Sequence, residues 1–137
     1  MTLSLWSTLT TYAATDWVVI SESGDGALFH MNFDRYKYVN SETIEAWVKM
    51  THKPKSESQR EAGDEVYALH EYRFNCPNKT ISLISYYSYG KNGNILFSRN
   101  HPYPKVKPVV PESSGEAMHE AACDVHALIR AAREKAL

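Results

Sequence analysis

Between Asp16 and Ser98 the chain alternates apolar and polar side chains at period two in six separate runs. Successive side chains of a strand point to opposite faces, so such runs predict half-buried β-strands. "DWVVISES" (Asp16–Ser23) is β-branched. "ALFHMNFD" (Ala27–Asp34) sets Leu28, His30 and Asn32 against Phe29, Met31 and Phe33. "SETIEAWVKMTH" puts Ile44, Ala46, Val48 and Met50 on one face, with Glu45, Trp47 and Lys49 opposite. "EVYALHEYRFNC" gathers Val66, Ala68, Tyr72, Phe74 and Cys76 on one face. "KTISLISYYSYG" places Ile81, Leu83 and Tyr87 on one side and Ile84 and Tyr86 on the other, and "ILFS" closes the series. Turn residues separate the runs: Gly24-Asp25-Gly26, Pro77-Asn78-Lys79 and Lys91-Asn92-Gly93-Asn94. Lys53–Glu65 lacks a strand pattern, is rich in charge and reads as a mobile surface loop.

Prolines 102, 104, 108 and 111 then break regular structure. Ser113 with Glu116 three residues later forms a capping-box signature. The helix that follows carries Met118, Ala121, Ala122, Val125, Leu128, Ile129 and Ala132 on one stripe, with Arg130, Arg133 and Lys135 near its C-terminus. The expected fold class is therefore α+β: an antiparallel sheet of about six strands with a C-terminal helix packed on one face.

At 137 residues the chain suits one domain and buries roughly two-thirds of its unfolded surface. The expected division is residues 1–15 as a leader remnant or flexible arm, with no Lys or Arg before Asp16, and 16–137 as a single domain. A net charge of −1 supplies no basic field for nucleic acid, and no apolar run reaches the ~20 residues of a membrane helix. Nine tyrosines and three tryptophans favour strands and interfaces.

The chain has two cysteines, Cys76 at a strand end and Cys123 in the helix. A strand end and a covering helix can meet, so the residues favour a disulfide, with two unpaired buried thiols as the alternative. Metal ligation finds little support, because neither cysteine has a second ligand at a zinc-site spacing beyond His126. No base is positioned to activate a nucleophile. Counting about 100° per residue, Cys123 projects roughly opposite the Met118, Val125 and Ile129 stripe. A sulfur that reaches the sheet then leaves the stripe for another partner. The expected partner is a second copy of the chain, giving a homodimer through Val125, Leu128, Ile129 and Ala132. The competing arrangement lays this stripe on its own sheet.

Several motifs together carry a resemblance. Asp16-Trp17-Val18 opens the first strand, Trp47 stands in "EAWVKMTHKPK", and Cys76 follows an aromatic-rich strand. "YYSYGKNGNIL" comes next, and Pro111, Ser113 and Ser114 precede the helix that carries Cys123. From Asp16 to Cys123 the chain resembles the surface-adhesin protein E family of bacterial exported proteins. The resemblance implies a helix tied to an antiparallel sheet by a Cys76–Cys123 bridge. It also implies a non-enzymatic role at the cell surface, with extracellular-matrix proteins as partners, and a location in the periplasm or at the outer-membrane surface.

Tyr72, Tyr86, Tyr87, Tyr89 and Tyr103 are the candidate binding surface, since tyrosine is favoured at interfaces. Ordinary cross-strand packing is the other reading of the same residues. His119 and His126, seven apart on the helix, read as solvated rather than as a metal or haem site. No catalytic order, phosphate loop or cofactor motif stands out. The expected function is binding without catalysis or cofactor. A small haem-like ligand carrier and a periplasmic structural subunit are the alternatives.

Overall fold

The computed structural model describes residues 16–52 and 64–136. Residues 1–15, expected to be an arm or leader, and residues 53–63 of the charged loop lie outside the described residues, as does Leu137. Seven strands and one helix follow in order: β1 Val18–Glu22, β2 Leu28–Tyr38, β3 Thr43–Thr51, β4 Tyr67–Asn75, β5 Thr80–Tyr89, β6 Ile95–Asn100, β7 Val106–Pro108 and α1 Ser114–Lys135. β1 to β6 form an antiparallel meander in sequence order. β7 lies beside β6 on the same edge of β5, pairing Thr80 to Ser82. This three-residue strand is absent from the sequence reading because the prolines around it signal a break. Pro108 is accommodated because β7 sits on an edge, where its missing donor costs no ladder bond.

The tight turns have the chemistry that their residues predict. Gly26 and Gly93 adopt φ of 89° and 75°, backbone that side chains disfavour. At the first hairpin, Gly26 donates to the Ser23 carbonyl at 2.9 Å and Ser23 donates to the Ala27 carbonyl at 2.8 Å. At the start of α1, the Ser113 hydroxyl accepts from the Glu116 amide at 3.2 Å. The Glu116 carboxylate reaches back to the Glu112 amide at 3.3 Å, so one of the helix's first donors and the amide just before the N-cap are occupied.

The core lies between α1 and one face of the sheet. Met31, Ile44, Ala46, Val48 and Phe74 meet Met118 and Ala122, and all seven are buried. Register explains the grouping. Ile44 pairs Phe74, Ala46 pairs Tyr72 and Val48 pairs His70, so these side chains share one face. The helix lies chiefly over β1 to β4, and among the described residues no element covers the β5 and β6 side of this face.

Three residues on one side of α1 fasten it to the turns at one end of the sheet. His119 Nε2 donates to the Asn75 carbonyl at 2.9 Å, and His126 Nε2 donates to the Asn40 carbonyl at 2.8 Å. Between them Cys123 is disulfide-bonded to Cys76, with the two Cα atoms 5.7 Å apart. His119 and His126 are thus buried, at 7% and 4% exposure, where the sequence predicts solvated histidines. The reason is that two imidazoles supply hydrogen bonds to carbonyls at turns, which an apolar stripe cannot do. The buried face of α1 is consequently turned toward His119, Cys123 and His126. Val125 and Ile129 still pack against the chain's own core at its margin, whereas Leu128 is 72% exposed and Ala132 is exposed. Cys123 and part of the apolar stripe therefore share one broad buried arc rather than opposite sides.

The bridge joins cysteines 47 positions apart in sequence. On the chain-entropy account, such a link stabilises by about 4 kcal/mol. A Cys76→Ser, Cys123→Ser double variant should therefore unfold at lower urea, with a fall of roughly 2–4 kcal/mol and the far-UV spectrum of the sheet retained. An unchanged urea midpoint would show that the two histidine bonds and the core hold the helix without it.

Candidate binding face

The face of the sheet opposite α1 is built from the alternate residues of β3, β4 and β5. Trp47 pairs Glu71, Lys49 pairs Leu69 and Thr51 pairs Tyr67. Across the next ladder, Tyr67 pairs Tyr89, Leu69 pairs Tyr87 and Glu71 pairs Ser85. Of the nine side chains named on this face, four are aromatic: Trp47, Tyr67, Tyr87 and Tyr89. Tyr67 and Tyr89 stack with centroids 4.6 Å apart, and Trp47 lies 6.0 Å from Tyr87 at a tilt. The Lys49 ammonium sits 4.8 Å from the Tyr67 ring and 6.0 Å from the Trp17 ring, within cation–π range. These rings are half-buried, and among the described residues no helix or strand covers them. A groove of about 480 Å³ runs over Trp47, Glu71 and Tyr87, walled by His101, Pro102 and Pro104. A second hollow of about 290 Å³ lies between Trp17, Arg35, Trp47 and Lys49.

The uncovered part of the other face has a polar cluster. Tyr86 donates its hydroxyl to Glu65, and His52 Nε2 contacts the other oxygen of the same carboxylate. Burial pushes the Glu65 carboxyl up, but hydrogen bonds from Tyr86, Ser88 and His52 outweigh it and leave the group below its usual range. His70 is held between the Tyr72 ring at 5.6 Å and the Tyr86 ring at 4.8 Å. Its Nδ1 is buried and has no hydrogen-bond partner among the described residues. Burial lowers the His70 pKa below the ordinary 6.5, against the opposing pull of Glu65.

The five tyrosines singled out in the sequence fall into three places. Tyr87 and Tyr89 lie on the open aromatic face. Tyr72 and Tyr86 lie on the helix side, paired with Ala46 and His70 respectively. Tyr103 stands in the β6–β7 loop at 94% exposure. The expected grouping of Tyr87 with Ile81 and Leu83 is corrected by a bulge. Glu71 pairs Ser85 but Tyr72 pairs Leu83, so Ile84 is an extra residue in β5. One inserted residue reverses the face of everything after it. Sequence reasoning left Trp17, Trp47 and Tyr67 out of the binding surface. The alternation that set Trp47 opposite Val48 was a usable signal, because extending it across the register reaches Tyr67, Tyr87 and Tyr89.

These features define a class: a small α+β scaffold with one sheet face closed by a disulfide-tethered helix and the other left open and aromatic. The chain belongs to the surface-adhesin protein E family, which it matches over residues 17–124. Its fold is similar to solved structures of Haemophilus influenzae protein E. Crystal form II of that protein aligns with a TM-score of 0.58 at 8% identity, covering 82% of this chain and 91% of that one. A second structure of Haemophilus influenzae protein E gives a TM-score of 0.54 at 10% identity, over 82% and 86%. Protein E from non-typeable Haemophilus influenzae gives 0.50 at 7% identity, over 80% and 76%. No curated protein sequence matches the chain. At these identities the likeness is one of fold.

The His70 environment has a consequence for pH. Its folded pKa lies below its ordinary value, so the unfolded chain binds this proton more readily. Stability from this group is complete above about pH 6.5 and is lost as pH falls below it, until the folded pKa is reached. Replacing His70→Leu removes this loss. Urea midpoints of wild type and variant, compared between neutral and mildly acidic pH, should show a shallower decline in the variant. Parallel curves would place the acid sensitivity elsewhere.

Proposed function

We propose that this chain is an exported, non-enzymatic adhesin that binds host or extracellular-matrix proteins through its open aromatic face. The observation that carries the reading is that face itself: Trp47, Tyr67, Tyr87 and Tyr89 on β3, β4 and β5, with Trp17 just ahead of β1, all half-buried and with α1 on the far side. Aromatic rings provide large contact area at low entropic cost, and they dominate the binding energy of protein interfaces. Membership of the surface-adhesin protein E family supports the same role. The Cys76–Cys123 bridge suits the oxidising conditions that an exported protein meets. No helix among the described residues is long and apolar enough to cross a membrane. The periplasm or the outer-membrane surface is the proposed location.

Binding of the purified protein to a panel of immobilised extracellular-matrix proteins tests this function. Wild type should bind at least one of them saturably. Trp47→Ala should weaken that binding by about tenfold or more, since truncating an aromatic hot spot costs about 2 kcal/mol. The variant should keep its cooperative unfolding, because Trp47 lies outside the buried core. Saturable binding that is indifferent to Trp47→Ala would move the interface off this face. The absence of binding across the panel would reject the adhesin reading.

A further inference from the structure

The groove over Trp47 and Tyr87 contains a carboxylate with no obvious counterpart. Glu71 stands in a row across the sheet, Trp47 to Glu71 to Ser85 to Asn100, at the floor of the groove. Among the described residues its side chain has neither a hydrogen bond nor an ion pair. The cation best placed to answer it, Arg73 on the same strand and face, lines the same groove but is drawn to Glu45 at 3.5 Å. Burial, then the nearby Glu45 charge, raise the pKa of Glu71, and Lys37 and Arg73 offset this only in part. That carboxylate is part-buried, and among the described residues no donor reaches it. Beside it lie two tilted rings 6.0 Å apart, whose faces attract cations. Pro102 and Pro104 wall the groove without supplying a backbone donor of their own.

We infer that this groove is a subsite for an arginine side chain presented by a protein partner, its guanidinium answering Glu71 and its plane lying against Trp47 and Tyr87. Arginine fits better than lysine because a planar guanidinium can both stack on a ring and donate two parallel hydrogen bonds to one carboxylate. The inference deepens the adhesin reading: it rests on the open face binding protein and names the chemistry of one contact.

The test uses the whole folded chain and two capped tripeptides, acetyl-Gly-Arg-Gly-amide and the same peptide with neutral citrulline in place of arginine. The reporter is the Trp47 indole N–H resonance, assigned from its loss in Trp47→Phe. The arginine peptide should shift this resonance with an affinity about tenfold above that of the citrulline peptide, whose urea oxygen removes both the charge and one NH2 donor group. Glu71→Gln should abolish the preference while leaving the spectrum of the core unchanged. Glu45→Gln, which releases Arg73 to pair with Glu71, should weaken it in the same direction. Equal shifts from the two peptides, no shift from either, or a preference that survives Glu71→Gln overturns the inference. Matrix binding without an arginine preference leaves the adhesin function standing and removes the subsite. An arginine preference without matrix binding does the reverse.

Discussion

A helix laid on a twisted sheet can slide or turn unless something holds it, and here a short row on α1 does so. His119, Cys123 and His126 face the same end of the sheet and reach Asn75, Cys76 and Asn40 in turn. The two turns they grip are themselves joined, since the Cys76 amide donates to the Glu42 carbonyl at 2.9 Å. Tyr38 extends the clamp, stacking on His126 at 5.0 Å and lying under the Arg133 guanidinium at 4.1 Å. One covalent bond, two hydrogen bonds to carbonyls and a ring stack thus fix which side of the helix is inward. The burial of Met118 and Ala122 against Ile44, Val48 and Phe74 follows from that orientation.

Placing the helix settles the fate of both sheet faces. The aliphatic face is closed by α1 over β1 to β4, and its remainder holds the Glu65, Tyr86 and His70 cluster. The opposite face keeps its rings in reach of solvent. Their half-burial comes from contact with one another and with Lys49, an arrangement that leaves a grooved aromatic surface with Glu71 on the floor of one groove. A domain of this size with its single helix committed to one face has no second helix among the described residues to close the other. The aromatic composition of that face and its openness therefore belong to the same architectural fact, and the charged groups around it, Glu71 above all, decide what it can select.

Register irregularities do the finer work. In β2 the pairing jumps from Met31 with Val48 to Tyr36 with Ala46, carrying Tyr36 and Tyr38 onto the helix side where Tyr38 meets His126. In β5 the extra Ile84 sends Tyr86 to the helix side and Tyr87 to the open face. Neither slip carries a glycine or proline that would mark it. Each is stabilised by what it brings together across strands, which is a property of the folded sheet and not of the local chain.

The sequence by itself determined the class of fold, because period two and period 3.6 impose incompatible geometries and each appears in long, separate stretches. It also determined the Gly26 and Gly93 turns, the Ser113 cap and the aliphatic side of β3, all of which are set within a few residues. The meeting of Cys76 with Cys123 was legible from where each residue sits on its element. Only the tertiary structure decided the inward face of α1, because buried histidines bonded to distant carbonyls look like surface residues when read along the chain. Only the tertiary structure divided the tyrosines between two faces, because one bulged residue reverses an alternation that is otherwise unbroken. The groove holding Glu71 was likewise decided in three dimensions: its floor comes from three strands and its wall from a proline-rich loop, and no local pattern joins them.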